Sequence, residues 1–421
     1  MSQLVDDLIH FIQQSPTPWH AVHSVGERLS SVDFTPLEEG EPWKLTKGER
    51  YFVQREGSIC AFTLPKSQPT RLRIVGAHTN SPGLKLKPNP DVQSGTFHQL
   101  LTEIYGGPLL SSWMNRDLGL AGRLIVENAQ GKIEEKLVFL DEAPLIIPQI
   151  AIHLDREVND KGLLIDKHEQ LRPILSLNGA EKPQLEPLLR EYVNFKHLLS
   201  FDLFLVPLEP PRFLGVKDEM LASYRLDNLA SSHACVTACA STKINSTLQM
   251  MLLWDAEEIG SRSAEGAAST FAADVLKRIQ HFYGMNEEQW QCFKASSLCI
   301  SVDVSHAYNP NYAKKYDPNH QSILGKGIVI KYNSDKKYVT DAKTAAVVIS
   351  ACKQLKLPYQ SYASRSDMPS GSTIGPIFAS QMGIPTVDIG IPLLSMHSIR
   401  EILAIQDHLE MCELLTHLLE K

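Results

Sequence analysis

Apolar residues recur at helical spacing from the first turns of the chain. Leu4, Val5, Leu8, Ile9 and Ile12 predict an amphipathic helix, which Ser15-Pro16-Thr17-Pro18 breaks. A second helix is predicted over 21–29, and strand-like runs follow at 51–53 and 60–64. Four later segments share one form, an apolar run that ends in polar side chains. The first is Arg71-Leu-Arg-Ile-Val-Gly-Ala-His78. The second, Leu248–Trp254, leads into Asp255-Ala-Glu-Glu258, and the third, Leu298–Val302, into Asp303-Val-Ser-His306. The fourth, at 385–389, leads towards Ser395-Met-His397. Helical patterns cover 228–240, 264–280, 341–355 and 405–419. Strands alternating with helices predict an α/β sheet with helices on both faces. In such sheets ligands gather beyond the carboxyl ends of the strands, where these polar tips would lie.

The stretch over 89–218 has another texture, with short β-like runs at 121–127, 136–139 and 201–208 and a polar middle over 159–191. It reads as an inserted, mainly β domain (89–219) that divides the α/β domain into 1–88 and 220–421, with proline-bearing linkers at 85–90 and 209–215. The 421 residues are 43% apolar, enough for a sizeable core. Against 41 Lys and Arg stand 48 Asp and Glu, a formal charge of −7 that argues against a nucleic-acid partner. No apolar run approaches the ~20 residues of a membrane helix, and the acidic start, Met1-Ser-Gln-Leu-Val-Asp-Asp7, does not read as a secretory leader. The cysteine count is seven, with no C-x-x-C pair, so neither a disulfide framework nor a thiolate zinc site is indicated. Cys235 and Cys239, four apart on a predicted helix, read as small core residues. A reducing, cytoplasmic setting is the expectation.

Candidate chemistry sits at the strand tips. His78, Glu257, Glu258, Asp303 and His397, with Asp227 at the start of a helix, supply imidazole and carboxylate donors. That mixture suits zinc. A bridging carboxylate with one His and one carboxylate on each side would hold two ions, and a spare carboxylate would serve as a proton shuttle. Singly, a strand-tip histidine is more often structural and a Glu-Glu pair is usually a solvated edge; their convergence on one sheet edge is the expectation.

The motifs occur in a recognisable order. They include Gly76-Ala-His-Thr-Asn-Ser-Pro-Gly-Leu-Lys-Leu-Lys-Pro88, Tyr105-Gly-Gly107, Asn115-Arg-Asp-Leu118, Ile150-Ala-Ile-His-Leu154 and Arg225-Leu-Asp-Asn-Leu229. Further on come Asp255-Ala-Glu-Glu-Ile-Gly-Ser261, Ser301-Val-Asp-Val-Ser-His306, Asn311-Tyr312, Arg365-Ser-Asp-Met-Pro-Ser-Gly371 and Met396-His-Ser-Ile-Arg-Glu401. In these the chain resembles the aspartyl aminopeptidase family of metalloaminopeptidases over nearly its whole length. The resemblance implies a zinc-exopeptidase-type α/β/α sandwich with a mixed sheet, interrupted by a dimerisation domain. It implies two zinc ions per subunit, one of them labile or replaceable by another divalent metal. Asp227 would bridge them, His78 and Asp303 would complete one site, and Glu258 and His397 the other; Glu257 would be the general base. Lys331, in Gly327-Ile-Val-Ile-Lys-Tyr-Asn333, would bind an acidic first side chain of a peptide substrate, with His306 as a further substrate contact. His153 would reach a neighbouring subunit's active site and help stabilise the oxyanion. Dimers would assemble into a tetrahedral shell of twelve chains. In the wider clan the peptide after the bridging carboxylate is often cis, here Asp227–Asn228.

One departure concerns the metal. Family members usually carry Asp two residues after the first ligand His, where this chain has Asn80. Its amide oxygen accepts a hydrogen bond but brings no charge, so weaker metal binding at His78, by roughly 10–100-fold, is the expectation. Ala256 and Gly83 stand where Asn-like and Cys residues are common, and neither removes a ligand. Gly371-Ser-Thr-Ile-Gly375 is no nucleophile elbow, since Thr373 holds the central place. Two other readings remain: a shell-forming carrier without catalysis, and a dizinc carboxypeptidase or deacylase, which would need an arginine to grip a substrate carboxylate.

Overall fold

The computed structural model describes residues 3–177 and 184–421; part of the polar stretch read over 159–191 lies outside them. The chain divides into two compact units. One comprises residues up to Asn80, Pro211–Met396 and Glu401–Lys421; the other comprises Ser81–Pro210 with His397–Arg400.

The larger unit is built on nine strands: β1 (Phe34–Leu37), β2 (Arg50–Arg55), β3 (Ser58–Thr63), β4 (Leu72–His78), β5 (Leu248–Trp254), β6 (Leu298–Val302), β7 (Ile328–Lys331), β8 (Tyr359–Tyr362) and β9 (Thr386–Gly390). Their order is β1-β2-β3-β5-β4-β6-β9-β7-β8. The four middle strands β5, β4, β6 and β9 run parallel, pairing His78 with Trp254 and Ser301 with Gly76. β3 and β7 run antiparallel to that group, so the sheet is mixed.

Side-chain alternation sorts the strands onto two cores. Val75, Ala77, Met251, Leu253, Ile300 and Val302 face one core with the helices Gln3–Gln13, Pro18–Ser30, Leu226–Ser241, Ala342–Leu355 and Ile405–Glu420. Leu72, Ile74, Leu248, Met250, Leu252 and Trp254 face the other with Phe271–Tyr283, Glu287–Ala295 and Ile374–Met382. Both faces being covered explains why these strands read as continuous apolar runs. The result is the α/β/α sandwich expected. A second sheet of five short strands, including Met220–Ser223 and Glu401–Ala404, belongs to the same unit.

The smaller unit is mainly β. Its six-stranded sheet is antiparallel throughout, with Leu118–Glu127 paired to Ile133–Leu145 on one side and to His197–Pro207 on the other. Its first boundary, at Ser81, lies earlier than the prolines of 85–90 suggest, whereas its second, between Pro210 and Pro211, falls within the expected 209–215 linker. Strand Gly83–Ser94 already contains Pro88 and Pro90, so 85–90 is sheet rather than linker. At the other end, Arg212–Leu214 pairs with Met220–Ser223 in the larger unit.

Several helices differ from expectation. Pro18 does not merely break the first helix; it opens the second at its first turn, where a missing N–H costs nothing. The helix predicted over 264–280 begins only at Phe271, because Ser263 accepts the Gly266 N–H and holds the preceding residues in turns.

Candidate metal centre and active site

Local chain geometry brings the donors to the carboxyl edge of the parallel strands. His78 is the last residue of β4. Beyond it Thr79 is pinned twice, its N–H to the Trp254 carbonyl and its hydroxyl to the Gly57 carbonyl. Asp303 follows β6 directly. After β5 the chain turns through Ala256, at φ +61°, into a short 3-10 turn that presents Glu257 and Glu258. An asparagine adopts that left-handed conformation more readily than alanine. Asp227 and Asn228 open the helix Leu226–Ser241 with non-helical dihedrals, and the peptide between them is cis, as the resemblance implies. This opening is tethered to both strand ends: Ser232 Oγ donates to the His78 carbonyl and Asn228 Nδ2 to that of Val302.

The cluster is tight. His78 Nε2 lies 3.4 Å from Asp227 Oδ1, 3.5 Å from Asp303 Oδ1 and 4.0 Å from Glu257 Oε2. Ligand atoms of His78, Asp227 and Asp303 all lie within 4.8 Å of one another, and so do those of His78, Glu257 and Glu258. Burial alone would push the His78 imidazole down; Asp227, Asp303 and Glu257 overcome it and hold it well above its ordinary value. Burial pushes Glu257 up to about 7, opposed by His78 and reinforced by Asp303 and Asp227. Four carboxyl groups and an imidazole in so little solvent call for a cation.

The donor set fits zinc. It is nitrogen and oxygen only, gathered at the strand ends and the helix opening tethered to them, and the imidazole has the support typical of a metal ligand: its Nδ1 is held 3.0 Å from the Asn80 main-chain oxygen. That partner differs from the one expected. The Asn80 amide oxygen accepts the Glu257 N–H instead, at 3.2 Å. Two contacts were not foreseen from sequence. The Asp227 N–H is fixed by Glu401 Oε2 at 2.9 Å, and Arg225 Nη2 donates to the Thr79 carbonyl at 2.5 Å. Both residues lie inside quoted motifs, which was the available signal.

Lys331 lies within the sheet and out of solvent. β7 is flanked on both sides, and Lys331 is 1% exposed. Its Nζ donates to the Val304 carbonyl at 2.7 Å, lies 3.5 Å from Asp303 Oδ2 and sits 5.3 Å over the Tyr338 ring. Burial works against the charge, but Asp303, Tyr338 and the nearby Asp388 and Asp227 hold the ammonium above its ordinary value. Tyr338 meets Tyr362 edge-on, and the exposed His306 ring lies 6.4 Å from that of Tyr362. His397 and His153 fall in the smaller unit. His397 Nδ1 lies 2.9 Å from the Gly107 carbonyl oxygen. His153 occupies an exposed turn.

Residues 11–418 match the family described as aminopeptidase I zinc metalloprotease (M18). A probable M18 family aminopeptidase 2 of Streptomyces coelicolor is 40% identical over 411 residues, covering 96% of this chain and 94% of that protein. The fold is similar to that in a complex of Ape4 and Nbr1, with a TM-score of 0.94 and 32% identity over 99% of this chain and 85% of that one. It is also similar to the mApe1 dodecamer of S. cerevisiae, with a TM-score of 0.86 and 26% identity over 98% and 95% of the two chains. Among the described residues no helix is long and apolar enough to cross a membrane.

Proposed function

We propose a specific reaction on the premise that the chain belongs to the M18 family of zinc metalloproteases and is an aminopeptidase of that family, which the match over residues 11–418 shows. The reaction is removal of N-terminal residues from peptides at a co-catalytic pair of zinc ions, with a preference for Asp or Glu at the substrate's N-terminus. Asp227, His78, Asp303, Glu258 and His397 would hold the ions, Asp227 being the residue shared between them. When bound, such a pair lowers the pKa of a shared water and polarises the scissile carbonyl.

The chain's own groups do the rest. Glu257 holds no assigned metal ligand role, stands 4.0 Å from His78 Nε2 and has a carboxyl whose affinity for protons lies near neutrality. It takes the proton from the attacking water and delivers it to the leaving amine. The Asn80 amide oxygen holds the main chain at Glu257 and so fixes where the carboxylate points. Lys331 is the positive charge for an acidic substrate side chain: its ammonium, which carries three donors, meets the Val304 carbonyl and the Asp303 carboxylate. His306 lies on the aromatic path from Tyr338 through Tyr362 and serves as a further substrate contact.

Subunits associate through the inserted unit, and twelve assemble, as in the yeast relative; a tetrahedral shell is the arrangement proposed. His153 supports this reading. It sits in a turn among Ile150, Ile152 and Leu154, whose side chains are 54%, 46% and 77% exposed. A neighbouring subunit would cover them and receive His153 as a donor to its oxyanion. The cytoplasm is the proposed compartment.

The convergence of His78, Asp227, Asp303, Glu257 and Glu258 at one strand edge carries the proposal. A panel of Asp-, Glu-, Leu- and Ala-anilides, with metal analysis of the same preparation, tests it. Acidic anilides are expected to turn over fastest, with Lys331→Met narrowing that preference by roughly 10–100-fold. Glu257→Gln is expected to cost roughly 100–10,000-fold in kcat with zinc retained. Faster turnover of Leu would remove the acidic preference; full activity in Glu257→Gln would remove the assignment of the base.

A further inference from the structure

A second cluster of metal-type donors lies in the helical layer of the larger unit. His233 on the helix Leu226–Ser241 and His408 and Cys412 on the helix Ile405–Glu420 each offer a ligand atom, and the three atoms lie within 4.8 Å of one another. His233 Nδ1 is 3.0 Å from His408 Nε2, and Cys412 Sγ is 3.6 Å from the same nitrogen. All three side chains are buried, at 1%, 1% and 4% exposure. The outer nitrogen of His233 is already oriented: Nε2 lies 2.9 Å from Asp7 Oδ2, and Asp7 is held by Arg28 at 2.7 Å. A carboxylate behind an imidazole whose other nitrogen faces two further donors is the arrangement that commonly supports a metal-ligating histidine.

The protonation pattern agrees. The Asp7 carboxylate cannot donate, so His233 Nε2 carries the proton and Nδ1 offers its lone pair inward. Burial pushes both imidazoles below their ordinary value, with Asp7 opposing this at His233, so both are neutral near neutral pH. Without an ion, His408 Nε2–H donates to His233 Nδ1. That leaves the buried His408 Nδ1 with no partner, so the relay does not satisfy its own members.

We propose that His233 Nδ1, His408 Nε2 and Cys412 Sγ bind a thiophilic d10 metal ion, separate from the carboxylate-rich centre. Binding would move the His408 proton from Nε2 to Nδ1 and release the Cys412 thiol proton to solvent, leaving a thiolate and two neutral imidazoles on the ion. The soft sulfur and the three-donor count favour Cu⁺; structural Zn²⁺ sites almost always take four ligands, so zinc here would need a water as the fourth. The ion would tie the first helix, through Asp7, to the two helices beneath it.

The test uses the full chain in a Cys292→Ser background, which removes the exposed thiol. Under anaerobic, reducing conditions it is titrated separately with Cu⁺ against a chromophoric chelator and with Zn²⁺ by metal analysis after gel filtration. The carboxylate centre contains no thiolate, so sulfur in the ion's X-ray absorption spectrum excludes that centre, and its loss in Cys412→Ser separates the new site from the remaining buried thiols. One ion with sulfur and imidazole neighbours is expected, together with a rise in Tm on binding. Cys412→Ser and His233→Gln should each lose that ion and the rise while peptidase activity persists. The copper and zinc arms identify which ion binds. Failure of the parent chain to take up either ion with a sulfur neighbour overturns the proposal without reference to any variant. Uptake unchanged in a folded Cys412→Ser protein overturns it as well.

Discussion

His78 and Asn80 show how a single side chain can be placed correctly and still be misread. The strand β4 runs out at His78, and its Nδ1 meets a main-chain oxygen at 3.0 Å. Any residue at position 80 supplies a carbonyl, so no sequence letter could signal that contact. The Asn80 side chain acts instead on Glu257, whose N–H its amide oxygen accepts. Asn80→Ala should leave zinc content unchanged and lower kcat roughly tenfold, because Glu257 loses its main-chain anchor while His78 keeps its own. Zinc titration beside steady-state kinetics would decide; lost metal with normal kcat in the metal-saturated enzyme would reverse the assignment. The donors themselves were legible, because an apolar run ending in His or Asp marks a strand tip. Glu401 and Arg225 were not, since their roles depend on Asp227 N–H and the Thr79 carbonyl, main-chain groups that sequence does not distinguish. The triad of His233, His408 and Cys412 was likewise hidden by its spacing, and the absence of a C-x-x-C pair pointed away from any thiolate site.

Among the elements, strands buried on both faces were read closely. Leu248–Trp254 and Leu298–Val302 fall at their predicted limits because every residue in them is buried. The helices Glu287–Ala295 and Ile374–Met382 escaped notice. The first has only Trp290 and Phe293 buried, and its start is fixed by a capping box between Asn286 and Gln289 rather than by an apolar stripe. The first helix was read correctly as amphipathic, but its fastening is electrostatic as well as apolar. Leu8, Phe11 and Ile12 enter the core, and Asp7 meets His233 at 2.9 Å and Arg28 at 2.7 Å. His233 first, then Arg28, hold the Asp7 carboxyl well below the usual range, against its partial burial. A depressed carboxylate contributes stability above its unfolded pKa, and that contribution fades as pH falls through the native value. Asp7→Asn should therefore cost about 1 kcal/mol near neutrality, a modest figure because Asp7 is partly exposed and solvent screens the pair. The deficit should shrink as pH falls below about 4. Chemical unfolding of both proteins at several pH values measures this; a gap independent of pH would show that the fastening is apolar alone.

For the whole molecule, the alternation of strands and helices foretold the sandwich, and the change of texture near residue 89 foretold the mainly β insertion. Its second limit falls at the prolines of 209–215, but its first does not coincide with 85–90, because Pro88 and Pro90 lie within strand Gly83–Ser94. This strand pairs on one side with Phe97–Tyr105, yet its register shifts between Leu86 and Asp91, so the prolines sit at an irregularity that relieves them of ladder bonds. Prolines thus mark a distortion inside the sheet. The same unit carries the turn of His153, where Ile150, Ile152 and Leu154 leave apolar side chains in solvent. An isolated subunit has no evident use for three such residues around one histidine, and a neighbouring subunit would. Ile152→Asp with Leu154→Asp places two charges on that turn without touching the buried cores. Light scattering should show smaller assemblies, and turnover should fall by more than about tenfold if a neighbour's His153 supplies an oxyanion donor. Zinc content should remain as in the parent, since none of the proposed ligands lies in that turn. His153→Gln, assembled but slow, would separate the loss of the donor from the loss of the assembly. A double variant that is monomeric yet fully active would show that each subunit is catalytically complete by itself.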